Sequence, residues 1–324
     1  MARQSLGHAT AEHAGSGRSG RRDRVPSLKI VFATCEGRPD ITDDDGRLVE
    51  AFAQRGISVS ALPWTHLSPA AATPPIVLRS TWDYHLQPAR FRAWLDQLTR
   101  NGTPVFNPIP LVSWNMDKVY LRALAVAGVA LPDTIWLAAS TGDDADHEAA
   151  QVHDAQDLMA LLKRQRWTRA VVKPRISASA HGTRRIDPNT RLSPSDLATI
   201  ASVGGLLQEY LPEIESAGEL SLVFLDGAFS HAVRKTPRSG DFRVQQEFGG
   251  DVAGAEPSAA AQALAERSLA TLREDWCYAR IDPVESARGP VLMELELIEP
   301  DLFFRIDPAA ADRLAESITK RLRR

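Results

Sequence analysis

Two carboxylates near the C-terminus are spaced for chemistry. The run Val291–Leu297 reads VLMELEL, so Glu294 and Glu296 lie two residues apart among apolar residues. In a strand, alternate side chains share a face, so both acids point one way and the apolar residues the other. Two buried acids repel each other unless a cation lies between them, and Mg²⁺ prefers carboxylate oxygen. The run predicts a magnesium site, or alternatively an edge strand with a solvated acidic face.

Two isolated lysines have the character of phosphate ligands. Lys118 falls in the first turn of a helix predicted over Asn115–Val126, and Lys173 ends a buried strand. The loop that follows Lys173 contains Ser179 and Gly182, whose small side chains allow backbone amides to approach an anion. The alternative is a solvated surface position, which is the commoner one for a lysine taken alone.

A third feature, a short apolar segment, could bind a nucleobase through its backbone. The segment Gln208–Leu211 offers backbone donors and acceptors in an apolar setting, which suits an adenine edge, although an ordinary strand end has the same appearance. Asp282 shares a strand face with Arg280 and adds a third acid to the metal side. The Walker A pattern does not occur, and no Gly-x-Gly-x-x-Gly follows a predicted strand, so ATP binding here would need another architecture.

The segment RSTWDY, beginning at Arg79, follows a predicted strand and is both polar and aromatic. Ligands of open α/β sheets bind beyond the carboxyl ends of the strands. Arg79 is therefore predicted to hold a substrate carboxylate, with Trp82, Asp83 and Tyr84 around it. The alternative is a loop closed by an Arg79–Asp83 pair, with the aromatic rings as packing.

The composition excludes several classes of protein. The 324 residues are 44% hydrophobic and 24% charged, and the net charge of -3 favours neither nucleic acid nor a membrane surface. Two distant cysteines, Cys35 and Cys277, provide no disulfide framework, so a cytoplasmic protein is expected. No apolar stretch is long enough to span a bilayer. Residues 1–26 lack apolar periodicity and are predicted to be a disordered tail.

The elements that position these residues fall into three units. From Leu28 to Phe106, short strands alternate with helices, which indicates an open and mostly parallel α/β sheet. The second unit carries both lysines. The last unit is antiparallel in character, with a hairpin predicted over Glu219–Lys235 that turns at Asp226–Gly227.

The order of these segments resembles the ATP-grasp superfamily. Lys118 precedes the sequence VVKP at Lys173, and QEYL follows, then Gly218-Glu219, RID at Asp282 and finally MELE. Within the superfamily, the chain is similar to the glutathione-synthetase-like branch and most similar to the cycloserine-forming ligases. That likeness rests on ATCE, LRSTWDY, KTP, GDFR and GG, which begin at residues 33, 78, 235, 240 and 249.

The resemblance implies a role for each position. The residues that would contact ATP are Lys118, Lys173, Ser179, Gly182, Gln208, Glu209, Tyr210, Leu211 and Glu219. Those that would hold Mg²⁺ are Asp282, Glu294 and Glu296. Arg243, with Lys235 and Arg280, would act on the transferring phosphoryl group. The family often has Asn where this chain has Glu296, which leaves an oxygen ligand but alters the charge balance.

The implied fold is an α/β and α+β ATP-grasp fold behind an N-terminal α/β domain. Its domains would span 27–110, 111–205 and 206–324. The implied enzyme uses ATP and one or two Mg²⁺ or Mn²⁺ ions to convert a small-molecule carboxylate into an acyl phosphate. It then joins the acyl group to an amine as an amide. The amine could belong to the same molecule, as in cycloserine formation, or to a second one, as in an amino-acid or dipeptide ligase. A regulatory ATP-binding protein without turnover is the alternative from another class. No nucleic-acid or membrane partner is expected, and a homodimer remains open.

Overall fold

A computed structural model describes residues 28–68, 73–139, 149–190, 192–238, 240–241, 243–244 and 249–323. The predicted tail, residues 1–26, lies outside this part of the chain. So does most of the polar stretch between Thr141 and His153.

The first unit is the predicted parallel sheet. Its strands are β1 (Leu28–Thr34), β2 (Ile57–Pro63), β3 (Ile76–Leu78) and β4 (Val105–Phe106), in the order β2-β1-β3-β4. All three pairings are parallel, which confirms the sequence prediction. Its helices are α1 (Asp43–Gln54) and α2 (Pro88–Arg100). The sequence predicts the first helix near Arg47–Arg55, ended by Gly56. It begins earlier, at Asp43, because the Thr42 side chain caps it by accepting from the Asp45 N–H at 3.1 Å.

The single helix predicted over Asn115–Val126 was wrong. The structure has α3 (Ile109–Asn115) and α4 (Tyr120–Val126), and Lys118 lies in the turn between them. The Lys118 N–H donates to Arg175 O at 2.9 Å, and the Asp117 carboxylate pairs with the Arg175 guanidinium at 2.7 Å. These long-range contacts interrupt the helix, and no local pattern in the sequence reports them.

The second sheet is antiparallel. Its strands are β5 (Thr134–Leu137), β6 (Ala170–Pro174), β7 (Arg184–Ile186) and β8 (Gly205–Glu209), in the order β5-β8-β6-β7. Helices α5 (Ala155–Gln165) and α6 (Pro194–Val203) flank it, the latter not predicted. The sequence placed Leu206 in the third unit, but β8 pairs with β5 and β6. We therefore propose that the boundary between the second and third domains follows Glu209.

The third sheet carries the acidic strand. Its strands are β9 (Glu219–Leu225), β10 (Ala228–Thr236), β11 (Asp251–Gly254), β12 (Tyr278–Ser286) and β13 (Gly289–Glu296), in the order β11-β10-β9-β12-β13. Its helices are α7 (Glu213–Ala217), α8 (Ala259–Leu269) and α9 (Ala309–Leu322). The predicted β9–β10 hairpin is confirmed, and its turn residues Asp226 and Gly227 have φ values of 51° and 84°.

One edge of β13 pairs with no strand among the described residues, yet its backbone is satisfied. Asn115 Nδ2 donates to Leu295 O at 2.9 Å, and Asn115 Oδ1 accepts from the Leu297 N–H at 2.8 Å. The Tyr120 hydroxyl accepts from the Leu295 N–H at 3.0 Å. Side chains from α3 and α4 thus replace a neighbouring strand, which fixes the acidic strand from both sides.

The first unit packs directly against the third. Phe32 and Phe52 of the first unit share one buried cluster with Val233, Phe304 and Leu314. Within the described residues, no helix has the length and apolar character needed to cross a membrane.

Candidate active site

A cavity of about 670 Å³ opens where the three units meet. Residues from all three units line it. The predicted site residues among its lining are Arg79, Trp82, Tyr84, Lys118, Lys173, Ser179, Glu219, Lys235, Arg243, Arg280, Asp282, Glu294 and Glu296. The structure therefore brings most of the sequence-predicted residues to one place.

The three predicted metal acids form a compact cluster. Strand pairing sets Asp282 opposite Glu294, and carboxylate oxygens of these two residues and of Glu296 lie within 4.8 Å of one another. Three carboxylates in one cluster are the hard oxygen donors that Mg²⁺ prefers. β13 is an edge strand, as the alternative interpretation required, but its acids face the cavity and form ion pairs.

Asp282 is the most firmly ionised of the three acids. Its carboxylate accepts from Lys235 Nζ at 3.0 Å, from the Arg280 guanidinium at 3.0 Å and from the Ser221 hydroxyl at 2.7 Å. Burial raises the pKa of Asp282, but Arg280 and Lys235 outweigh it and bring the pKa to about 2. A carboxylate that is always charged suits a divalent cation.

The two glutamates differ in their partners. Glu294 pairs with Lys118 Nζ at 2.8 Å, and this lysine outweighs burial and lowers the pKa of Glu294. Glu296 pairs with the Arg280 guanidinium. Burial and the charge of Glu294 nevertheless raise the pKa of Glu296 to about 7, although Arg280 opposes them. Crowded acids of this kind gain from a bound cation.

Two lysines face the acids across the cavity. Besides pairing with Glu294, Lys118 Nζ donates to Ser177 O at 3.0 Å, which ties it to the loop after β6. Burial lowers the pKa of Lys173, which projects from β6 into the same cavity. In that loop, Ser179 and Ala180 have φ values of 48° and 53°, so its backbone turns sharply beside both lysines.

Arg79 is more deeply buried than the sequence suggested. Its side chain is 4% exposed, its Nε donates to Asp45 Oδ1 at 2.8 Å, and its Nη2 donates to Pro300 O at 3.2 Å. The alternative Arg79–Asp83 pair is wrong. Asp83 instead accepts from Trp64 Nε1 at 2.7 Å and lies outside the cavity lining. Substrate binding by Arg79 stays a prediction.

The predicted adenine segment lies beside the cavity rather than in its lining. Gln208 is 1% exposed, and its Nε2 donates to Thr134 Oγ1 at 3.1 Å. Glu209 pairs with Arg288, and the Tyr210 ring lies 4.3 Å from the Arg169 guanidinium carbon. The backbone of Glu209–Leu211 remains a predicted adenine contact.

The remaining predicted residues are held by near neighbours. Glu219 pairs with Lys235 Nζ at 2.6 Å, and Arg243 pairs with Asp241 at 2.7 Å. Gly182 lies outside the cavity lining, and a Cβ there would come within 2.7 Å of the Pro174 ring, so this glycine allows the loop to close on β6. The sequence also predicts two lid loops, Arg175–Arg185 and Phe242–Gly254, from their small residues and lack of apolar periodicity. The first is described in full and the second only in part, and both stay predictions.

Sequence reasoning missed one group of residues at the cavity. The missed lining residues with charged side chains include Asp44, Glu299, Asp301 and Arg305. Glu299 and Asp301 form a second pair of acids two residues apart just past the acidic strand, as ELELIEPD, one position out of phase with Glu294 and Glu296, and this repeated spacing was the available signal. Asp44 belongs to the first turn of α1, and only the tertiary fold brings it to Arg305 at 3.3 Å.

His85 was also missed. Its ring lies 4.8 Å from the His181 ring, centroid to centroid, where the first unit meets the loop after β6. Burial, then the neighbouring His181 and Lys118, lower the pKa of His85 to about 4, against smaller opposing effects that include Asp83. His85 is therefore neutral at physiological pH.

Comparison with known proteins agrees with this geometry. Residues 30–107 match the family model described as the N-terminal domain of D-cycloserine synthetase DcsG. The chain is 32% identical over 267 residues to the cycloserine biosynthesis protein DcsG of Streptomyces lavendulae, covering 76% of this chain and 83% of that protein. It is 31% identical over 211 residues to a probable alpha-L-glutamate ligase of Xanthomonas campestris, covering 63% of this chain and 64% of that ligase.

Solved structures show the same similarity. The crystal structure of D-cycloserine synthetase DcsG superposes with a TM-score of 0.76 at 26% identity, covering 91% of this chain and 99% of that one. A RimK domain ATP-grasp protein from Sphaerobacter thermophilus superposes with a TM-score of 0.61 at 16% identity, covering 90% and 100%, which shows a shared fold.

Proposed function

The chain belongs to the DcsG family of ATP-grasp carboxylate–amine ligases, and we propose that it activates a small-molecule carboxylate and closes an amide within the 670 Å³ cavity. It is an ATP-dependent ligase. The identity of the carboxylate, the use of Mg²⁺ and the roles of individual residues belong to the proposal. The observation that carries it is the cluster of three acids opposite two lysines in one cavity.

The proposed reaction has two steps. A substrate carboxylate oxygen attacks the γ-phosphorus of ATP, the bond to ADP breaks, and an acyl phosphate forms. An amine nitrogen then attacks the acyl carbon, the bond from carbon to the phosphate oxygen breaks, and phosphate leaves. Because such transfers depend on positioning and charge, the protein must supply cations and exclude water.

Residues at different places in the cavity take different roles in these two steps. Lys118 and Lys173 bind the phosphate oxygens of ATP, and Arg280 offsets charge on the phosphoryl group in transfer. Asp282, Glu294 and Glu296 would hold Mg²⁺, which when bound neutralises phosphate charge and orients the phosphoryl group. Lys118 pairs with Glu294, so on ATP binding the lysine would exchange this carboxylate for a phosphate oxygen.

The intact set of acids and lysines argues against a regulatory ATP-binding protein. A domain that only senses ATP has no need for three clustered carboxylates beside the phosphate site. Ring closure within one substrate and ligation of two substrates use the same residues, so both remain within the proposal. A cytoplasmic location and a homodimer also remain predictions.

The test is ADP release with defined carboxylates. The protein would be incubated with ATP, Mg²⁺ and, separately, D- and L-alanine, D- and L-serine, O-acetylserine, O-carbamoylserine and the other amino acids. We expect release that depends on particular carboxylates and falls by roughly a hundredfold or more in Glu294→Ala, because the cation then lacks a ligand. Release that ignores the added carboxylate, or survives in Glu294→Ala, would refute the proposal. Glu266→Gln, an exposed change in α8, is the control.

A further inference from the structure

Glu299 lines the cavity, and within the described part of the chain its carboxyl group has no partner. The residue is 9% exposed and lines the cavity. Among the described residues, no hydrogen-bond donor or cation contacts its side-chain oxygens. Burial and the like charges of Glu296 and Glu294 raise the pKa of Glu299 well above its ordinary value, so its charged form is disfavoured. The carboxyl group faces the cavity, where a ligand can supply the hydrogen-bond donor that the described protein groups do not.

The backbone around Glu299 is fixed on both sides. Three successive carbonyl oxygens each meet a side-chain donor: Ile298 O accepts from the Tyr278 hydroxyl at 3.0 Å, Glu299 O accepts from Trp82 Nε1 at 3.3 Å, and Pro300 O accepts from Arg79 Nη2 at 3.2 Å. The donors come from β12 and from the segment after β3. The Glu299 side chain is therefore pre-positioned by a rigid wall.

Glu299 is separate from the acid cluster. Its carboxylate does not join the three acids whose oxygens lie within 4.8 Å of one another. Its charged surroundings are the like charges of Glu296 and Glu294 and the more weakly felt Lys118 and Arg280. A substrate that binds between the acid cluster and the aromatic residues Trp82 and Tyr84 could donate a hydrogen bond to the Glu299 carboxyl group.

We propose that Glu299 binds the attacking amine, accepting a hydrogen bond from its N–H and aiming the nitrogen lone pair at the acyl carbon. This inference rests on the proposed ligase function and names the group that receives the second reactant. The nitrogen forms its bond to carbon, the phosphate leaves with the electron pair of the broken C–O bond, and the proton lost by nitrogen ends on that phosphate. Glu299 is not consumed and orients the nucleophile through a single contact.

The test separates activation of the carboxylate from attack by the amine. Hydroxylamine at saturating concentration traps an acyl phosphate as a hydroxamate without needing a positioned amine. For the compound that releases most ADP, hydroxamate, amide product and the apparent KM for Mg²⁺ would be measured in the wild-type protein and in Glu299→Gln and Glu299→Ala. Glu266→Gln serves as the control, and a thermal melt confirms that each variant is folded.

We expect both Glu299 variants to form hydroxamate at the wild-type rate with an unchanged KM for Mg²⁺. Amide formation should fall by roughly tenfold to a hundredfold in Glu299→Ala, because orientation of the nucleophile is lost, and by less in Glu299→Gln, whose amide oxygen still accepts a hydrogen bond. Loss of hydroxamate together with a raised KM for Mg²⁺ would make Glu299 a metal ligand and overturn the inference. Wild-type amide formation in both variants would overturn it as well. A wild-type protein that forms neither product would instead refute the ligase proposal beneath it.

Discussion

Asn115 is predicted to hold the acidic strand in place, and its replacement should affect stability and metal use together. The side chain satisfies Leu295 O and the Leu297 N–H, two backbone groups of residues that are 1% and 0% exposed. Asn115→Leu keeps the approximate volume and removes both hydrogen bonds. The unsatisfied carbonyl and amide would each cost about 1–2 kcal/mol, or roughly 2–4 kcal/mol together.

A loss of that size is measurable by thermal unfolding. We expect the Tm to fall by roughly 5 °C, scaling from the few degrees per kcal/mol that are typical of proteins this large. Because Glu294 and Glu296 flank the released carbonyl, we also expect the apparent KM for Mg²⁺ to rise by roughly tenfold, as for other losses of support behind metal ligands. The KM for ATP measured at saturating Mg²⁺ should change less.

The matched control is Asn189→Leu, which changes an exposed asparagine in a loop of the second unit. If Asn115→Leu has the same Tm as the control, the two hydrogen bonds contribute nothing to stability and the reasoning fails. If it melts lower but keeps the wild-type KM for Mg²⁺, the asparagine stabilises the fold without positioning the acids. Only a joint effect supports a link between this side chain and the metal site.

Three further changes test other contacts. Arg79→Met should destabilise the protein by about 3–5 kcal/mol in urea, because it leaves Asp45 buried without its partner; a change in substrate KM alone would restore the predicted role in substrate binding. Gly182→Ala should raise the KM for ATP several-fold while ADP release persists at saturation, since a Cβ at φ 70° would meet Pro174 and displace the loop; an unchanged KM would contradict this. The pKa of His85 is lowered to about 4, so the wild type should lose stability as pH falls from 6.5 through 4, and His85→Phe should lose on the order of 1–2 kcal/mol less; parallel pH profiles of unfolding would refute it.

The sequence by itself determined the local geometry of the site. Alternation placed Glu294 and Glu296 on one face of a strand, and the Asp-Gly turn placed β9 beside β10. Both follow from short-range rules, the two-residue period of strands and the preference of a turn for positive φ. The order of the segments also indicated the fold, because each one recurs at its place in a known architecture.

The tertiary structure decided which charges meet. Arg79 pairs with Asp45 rather than Asp83, and Lys118 lies in a turn because its N–H bonds to Arg175. Among the residues that the structure describes, Glu299 lines the cavity without a partner for its carboxyl group, and only the tertiary fold brings it there. The burial of a charged side chain and its choice of partner depend on residues far apart in the chain. Burying an unpaired charge costs several kcal/mol, and the contacts that offset this cost follow no local pattern. The strand was therefore predictable from sequence, and its electrostatic partners were not.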